Sequence, residues 1–193
     1  MGEYKINFHY KNGKEKVLYY NRLLGKFYDI QTMIIIPSPE LNNILDMYMS
    51  SLETSIYNTY GLLLPWDDVD EISPLMSNAK IIDIYSGATF MVQRRAGSSH
   101  ADCQPLTAQD TATMKKIFNG SWTWDRSGIV VEIDGYRIAG SMSGKPHGAG
   151  KIDDNNFPGH FCIHFQNSTT HSGNMDLRHH QEILKAAGKL PLE

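Results

Sequence analysis

Three turn signals, each flanked by alternating apolar residues, confine this chain to folds built from antiparallel hairpins. Ile6, Phe8 and Tyr10 alternate with polar residues before Asn12-Gly13, and Val17, Leu18 and Tyr19 follow. Ile82 and Ile84 lead into Ser86-Gly87, then Phe90 and Val92; Ile129, Val131 and Ile133 lead into Asp134-Gly135, then Tyr136 and Ile138. The Asn12-Gly13 pair is expected to supply the two positive φ values of a tight turn. No alternation of strand and helix runs along the chain, so a doubly wound parallel sheet is excluded.

Helical spacing occurs at three places. Ser38 and Pro39 suit a helix start after Pro37, with Leu41, Ile44, Leu45, Tyr48 and Leu52 on one face. Thr107 and Asp110 form a capping box that opens a helix through Met114 and Ile117, ended by Gly120. The last helix runs from about Asp176 to Ala187 and is closed by Gly188, after a strand from His160 to Phe165. The acidic run from Pro65 to Glu71 reads as a solvated connection. The expected architecture is therefore α+β. A mostly β, hairpin-rich domain with two flanking helices covers residues 76–193, and a small N-terminal α/β appendage of hairpin plus helix covers residues 1–75, suited to docking or binding.

Hydrophobic residues make up 41% of the chain and charged residues 20%, which supports a core and argues against disorder. The net charge of −3 offers no basic field for nucleic acid or for an anionic membrane surface. The longest apolar run, Met33 to Ile36, stops at Pro37, far short of the ~20 residues that span a bilayer. Two cysteines, Cys103 and Cys162, do not make a disulfide scaffold. The first residues lack the apolar core of a secretory signal, which suits a protein working where it is made, a piece of a longer exported chain, or a phage or toxin component.

Six of the eight histidines fall between residues 147 and 180. In His160-Phe161-Cys162-Ile163-His164-Phe165 the strand period of two puts His160, Cys162 and His164 on one face and the apolar residues on the other. A thiol between imidazoles is expected to be held as thiolate, because a nearby imidazolium favours the charged form. His147 lies 15 residues before Cys162, across a loop of Gly, Asp and Asn, and can fold back to act as its base.

His147-Gly148, the polar loop and Gly159-His160-Phe161-Cys162-Ile163 together resemble the active-site segment of L,D-transpeptidases. That family carries His-Gly, a loop of comparable length, then Ser/Thr-His-Gly-Cys followed by Ile-Arg. The likeness covers residues 128–168, and this chain has Gly159, Phe161 and His164 where the family has Ser/Thr, Gly and Arg. The resemblance implies a β-sandwich-like catalytic domain, Cys162 as nucleophile, His147 as base, His160 and His164 as site residues, and a peptidoglycan stem peptide as substrate. It implies no cofactor, and places the work in the cell envelope or outside the cell.

A second set of residues competes. His100 and Asp102 share one side of an extended segment, and with His160 or His164 they supply a His₂Asp shell for zinc with a position left for water. This is similar to the zinc D,D-peptidases and related cell-wall endopeptidases, and makes Zn²⁺ the alternative cofactor. A third reading is a non-catalytic cell-wall binding module, in which Trp122, Trp124 and Tyr136 form an aromatic platform. His171 could complete a site, Cys103 is expected to pack, and the His179-His180 pair is expected to face solvent.

Overall fold

The computed structural model describes residues 3–21, 24–29, 31–36 and 38–192. Pro37, after which the first helix is expected to start, lies outside these. The chain divides into two compact units, residues 1–55 and 56–193.

The first unit is an antiparallel sheet in the order β1 (Glu3–His9), β2 (Glu15–Asn21), β3 (Lys26–Asp29) and β4 (Ile34–Ile36). The first hairpin forms, but not on a two-residue turn. Only Gly13 has positive φ; the loop from Tyr10 to Lys14 is closed by Tyr10 N donating to Lys14 O, with Asn12 Oδ1 accepting from Lys14 N. Leu18, Tyr20 and Phe27 make a small core, against which Leu41 and Leu45 of α1 (Pro39–Thr59) pack. Ile44, Tyr48 and Leu52 share the expected helical spacing yet are exposed.

The second unit is a closed antiparallel barrel of six strands, in the order β10-β7-β6-β5-β8-β9 with β9 pairing back to β10. The strands are β5 (Asn78–Asp83), β6 (Thr89–Ala96), β7 (Ala101–Pro105), β8 (Thr123–Ile133), β9 (Tyr136–Gly144) and β10 (Phe161–His164). Closure leaves the barrel no free sheet edge. The Asp134-Gly135 turn is as expected, both residues having positive φ and Ile133 pairing with Tyr136. Inward residues fill the barrel, among them Ile81, Phe90, Val92, Ile129, Val131, Ile138, Met142, Phe161 and Ile163. α3 (Ala108–Ile117) carries the expected capping box, and α4 (Leu177–Ala186) is capped by Asp176, whose carboxylate accepts from the N–H groups of Arg178 and His179.

The α+β, mostly β architecture thus holds. The division between the units, however, falls at residue 55 rather than near 75. The acidic run is not a solvated linker: it is α2 (Trp66–Ile72), with Trp66 and Val69 buried in the barrel core. Trp66 Nε1 donates to Ser98 O, and its backbone N–H donates to Gln166 O. Four acidic residues hide an apolar stripe in this short helix, in which Trp66 and Val69 are buried and Ile72 packs against the same core. Among the described residues no helix is long and apolar enough to cross a membrane.

Phe161 stands in the core where the resembling family has Gly. It packs edge-on against Phe157 and tilted against Phe90. Phe161→Ala should therefore cost about 3–5 kcal/mol, read as a lower midpoint in denaturant at unchanged slope.

Candidate active site

β10 lies between β7 and β9 and brings three strands' outward side chains together. Cys162 pairs directly with Asp102 across the β10–β7 ladder, and His164 pairs with Ser141 across β10–β9. Because Phe161 and Ile163 face the core, the strand period turns Cys162 and His164 outward. The same period in β7 sends Ala101 and Cys103 inward and Asp102 outward. Thiol and carboxylate therefore stand side by side, with Cys162 Sγ 3.6 Å from Asp102 Oδ1.

The loop after β9 folds back as the sequence suggested. His147 N donates to His160 O at 2.9 Å and His160 N donates to His147 O at 2.8 Å, a two-bond bridge that fixes one histidine beside the other. The glycines at its ends are required by geometry. Gly148 has φ +61° and a Cβ there would meet the His160 ring at 2.3 Å; Gly159 has φ +106° and a Cβ would lie 2.4 Å from His147 O. Ser or Thr at position 159, as in the resembling family, would be strained here. Gln104 of β7 anchors the loop by accepting from Lys151 N and Ile152 N.

Three imidazoles are held in one pattern. His147 Nδ1 lies 2.8 Å from Lys145 O, His160 Nδ1 lies 3.0 Å from Ala149 O, and His100 Nδ1 lies 2.8 Å from Thr169 O. A carbonyl only accepts, so each Nδ1 carries the proton and each neutral ring presents a bare Nε2. His147 Nε2 is 3.1 Å from Cys162 Sγ. His100 Nε2 and His160 Nε2 face Asp102 Oδ1 at 3.3 and 3.6 Å, contacts that are ion pairs when the rings carry a second proton. Donor atoms of His147, His160 and Cys162 lie within 4.8 Å of one another, as do those of His100, Cys162 and His164, and those of His100, Asp102 and His171.

The expected thiolate is not supported. Burial, then the Asp102 carboxylate, pushes the Cys162 thiol up to about 12, and burial holds His147 below the ordinary imidazole value. Thiol and base rest as a neutral pair. At His100, burial disfavours the charged ring, but the Asp102 carboxylate and Thr169 carbonyl outweigh it and raise its pKa. Cys103 is buried in the core with its thiol pushed up by burial, which leaves it packing as expected.

His164 is not placed like its neighbours. Its ring stacks 3.9 Å from His179 and 4.5 Å from His100, buried under α4. His179, expected in solvent, is 3% exposed, with Nδ1 2.9 Å from Ser141 Oγ. The last helix turns this residue inward together with Ile183 and Ala186. His171 reaches the site and sets its ring edge against His100 at 4.7 Å. No aromatic platform assembles: Trp122 packs edge-on against Phe157, while Trp124, half exposed, lies 5.1 Å from the His147 ring. Tyr136 sits at the opposite end of the β8–β9 hairpin.

Sequence reasoning missed the carbonyls of Lys145, Ala149 and Thr169, which carry no side-chain signal, and Ser143, whose hydroxyl lies 3.4 Å from Cys162 N. Compared with known proteins, the chain matches no family model, no curated protein and no solved structure.

The buried stack makes a prediction about acid. Burial holds His164 down to about 3 and His179 down to about 2, from an ordinary value of 6.5. The unfolded chain therefore binds more protons once the pH falls below about 6.5, so the stabilisation is full above that pH and is lost as the pH drops toward 3. The melting temperature should fall by roughly 5–10 °C between pH 7.5 and 5.0. His179→Gln should flatten that slope; an equal slope in both proteins would place the acid sensitivity elsewhere.

Proposed function

We propose that the protein is a cysteine acyl-transfer enzyme acting on peptide amides, and that its substrate is the stem peptide of peptidoglycan. One observation carries the chemistry: His147 Nε2 stands 3.1 Å from Cys162 Sγ while its Nδ1 proton is held by Lys145 O. Nucleophile, base and a third group orienting the base are the arrangement that covalent catalysis requires. Support for the substrate is the resemblance of the His-Gly to His-x-Cys segment to L,D-transpeptidases.

The neutral resting pair defines the proton's path. His147 Nε2 accepts the thiol proton as Sγ attacks the amide carbonyl carbon. The C–N bond then breaks, the leaving amine takes the proton from His147, and a Cys162 thioester remains. An acceptor amine or water next gives its proton to His147 and attacks the thioester, and the returning proton restores the thiol. Base removal in the attack step matters here because a buried thiol beside Asp102 resists ionising ahead of the reaction. Trp124, half exposed beside His147, gives an apolar surface on which a peptide can rest.

Cys162→Ala should abolish turnover of stem peptides and the covalent adduct seen by mass spectrometry of the intact protein. His147→Ala should lower kcat by about 10²–10⁴, while Cys103→Ala should leave it within a few-fold. Full activity in the Cys162 variant would end this reading.

A further inference from the structure

The thiol–imidazole pair accounts for His147 but leaves Asp102 without a role, and a carboxylate at this place works against the attack step. Its Oδ1 lies 3.6 Å from Cys162 Sγ, and its charge raises the pKa of the thiol. Asp102 is 5% exposed, so water screens that charge only weakly. Among the described residues no lysine or arginine pairs with it. Its counter-ions are the imidazoles of His100 and His160, at 3.3 and 3.6 Å, which carry charge only when doubly protonated. Arg126, whose charge also reaches the thiol, is held by Asp176 at 2.8 Å.

A buried carboxylate without a fixed counter-ion favours a cation delivered by a ligand. Its distance from the sulfur says when that cation arrives. Once Sγ carries an acyl group, a nucleophile must stand about 3–3.5 Å from the carbonyl carbon bonded to it. That shell overlaps the hydrogen-bonding range of an oxygen 3.6 Å from Sγ. The exposed His171 has a ring nitrogen within 4.8 Å of the ligand atoms of Asp102 and His100, so the carboxylate lies one side chain away from solvent. Water, being neutral, gains little from this carboxylate. A primary amine, protonated at neutral pH, gains an ion pair.

We propose that Asp102 binds the acceptor of the second half-reaction and that this acceptor is a cationic primary amine, which makes the protein a transferase rather than a hydrolase. The proposal rests on the thiol reading above. The acceptor enters as R–NH₃⁺, and its ammonium pairs with the Asp102 carboxylate. One proton passes by way of that carboxylate to His160 Nε2, whose Nδ1–H is held by Ala149 O, and from this partly exposed ring to solvent. The imidazolium formed in passing makes the ion pair for which Asp102 and His160 are placed. The amine nitrogen then attacks the thioester carbon. The C–N bond forms, the C–S bond breaks, and the second proton of the nitrogen goes through His147 Nε2 to the sulfur. A new amide and the Cys162 thiol result. The carboxylate thus opposes ionisation of the thiol in the first half-reaction and recruits the nucleophile in the second.

The test loads the full chain with a stem-peptide donor and offers two acceptors at a pH of about 7.5, where a lysine side chain is charged and hydroxylamine is neutral. One acceptor is a peptide with a free lysine side-chain amine, the other hydroxylamine. In the parent the lysine peptide should be the better acceptor at equal concentration, although hydroxylamine is the less hindered. Asp102→Asn should lower the ratio of lysine to hydroxylamine transfer by at least about 30-fold, the loss expected when one partner of a buried charge pair is neutralised. The same substitution should speed iodoacetamide labelling of Cys162, because the charge that opposes ionisation is gone. A merely structural Asp102 would instead give slower labelling at an unchanged ratio. A parent that prefers hydroxylamine, or that passes its acyl group only to water, overturns the acceptor assignment and leaves the thiol reading intact. An unchanged ratio in Asp102→Asn does the same, and if that variant does not fold the preference of the parent decides. A parent that forms no Cys162 adduct with the donor overturns the thiol reading, and the acceptor assignment with it.

Discussion

The pairing of β10 with β7 is the constraint on which the rest of the second unit depends. A closed barrel needs a strand between β7 and β9, and only four residues, Phe161 to His164, supply it. Two of them, Phe161 and Ile163, must point inward to fill the core, and the pleat then sends the other two outward. Register sets Cys162 opposite Asp102. A shift by one residue would bury the thiol in the core and expose Phe161, so the apolar face that stabilises the barrel also aims the chemistry.

Around that strand the backbone acts as much as the side chains do. Three carbonyls, of Lys145, Ala149 and Thr169, each fix an imidazole's tautomer and direction. They lie on irregular segments, which is where free carbonyls occur, since those in the barrel are consumed by the ladders. The same lock serves two chemistries. A bare Nε2 against a thiol is a base; an Nε2 against a carboxylate forms an ion pair when it takes a proton. His147 has the first arrangement, and His100 and His160 have the second.

Much of this was legible from residue order, and the failures have identifiable causes. The Asp134-Gly135 hairpin, the Thr107–Asp110 capping box and the two faces of the 160–165 segment follow from local rules, and all are found. The return of His147 onto the strand was also legible, because Gly148 and Gly159 punctuate the loop at its two crossing points. From the sequence α2 reads as a linker because its four acidic residues outnumber Trp66, Val69 and Ile72, which bind it to the barrel. The protonation state is hidden from the sequence for a different reason. Alternation along one strand showed Cys162 between histidines, but the nearest charge, Asp102, comes from another strand and opposes ionisation. The burial of His179 is hidden likewise, since only the tertiary seat of α4 shows which side of that helix is covered.

The central claim is that the Lys145 carbonyl holds the Nδ1–H of His147 and leaves its Nε2 bare against Cys162. Nitrogen NMR of ¹⁵N-histidine-labelled protein reads this directly, at a pH above the ordinary imidazole range, where His147, held below that range by burial, is neutral. His147 should show unprotonated Nε2 and protonated Nδ1. The opposite tautomer at His147 would put an N–H where the account requires a base and would contradict it.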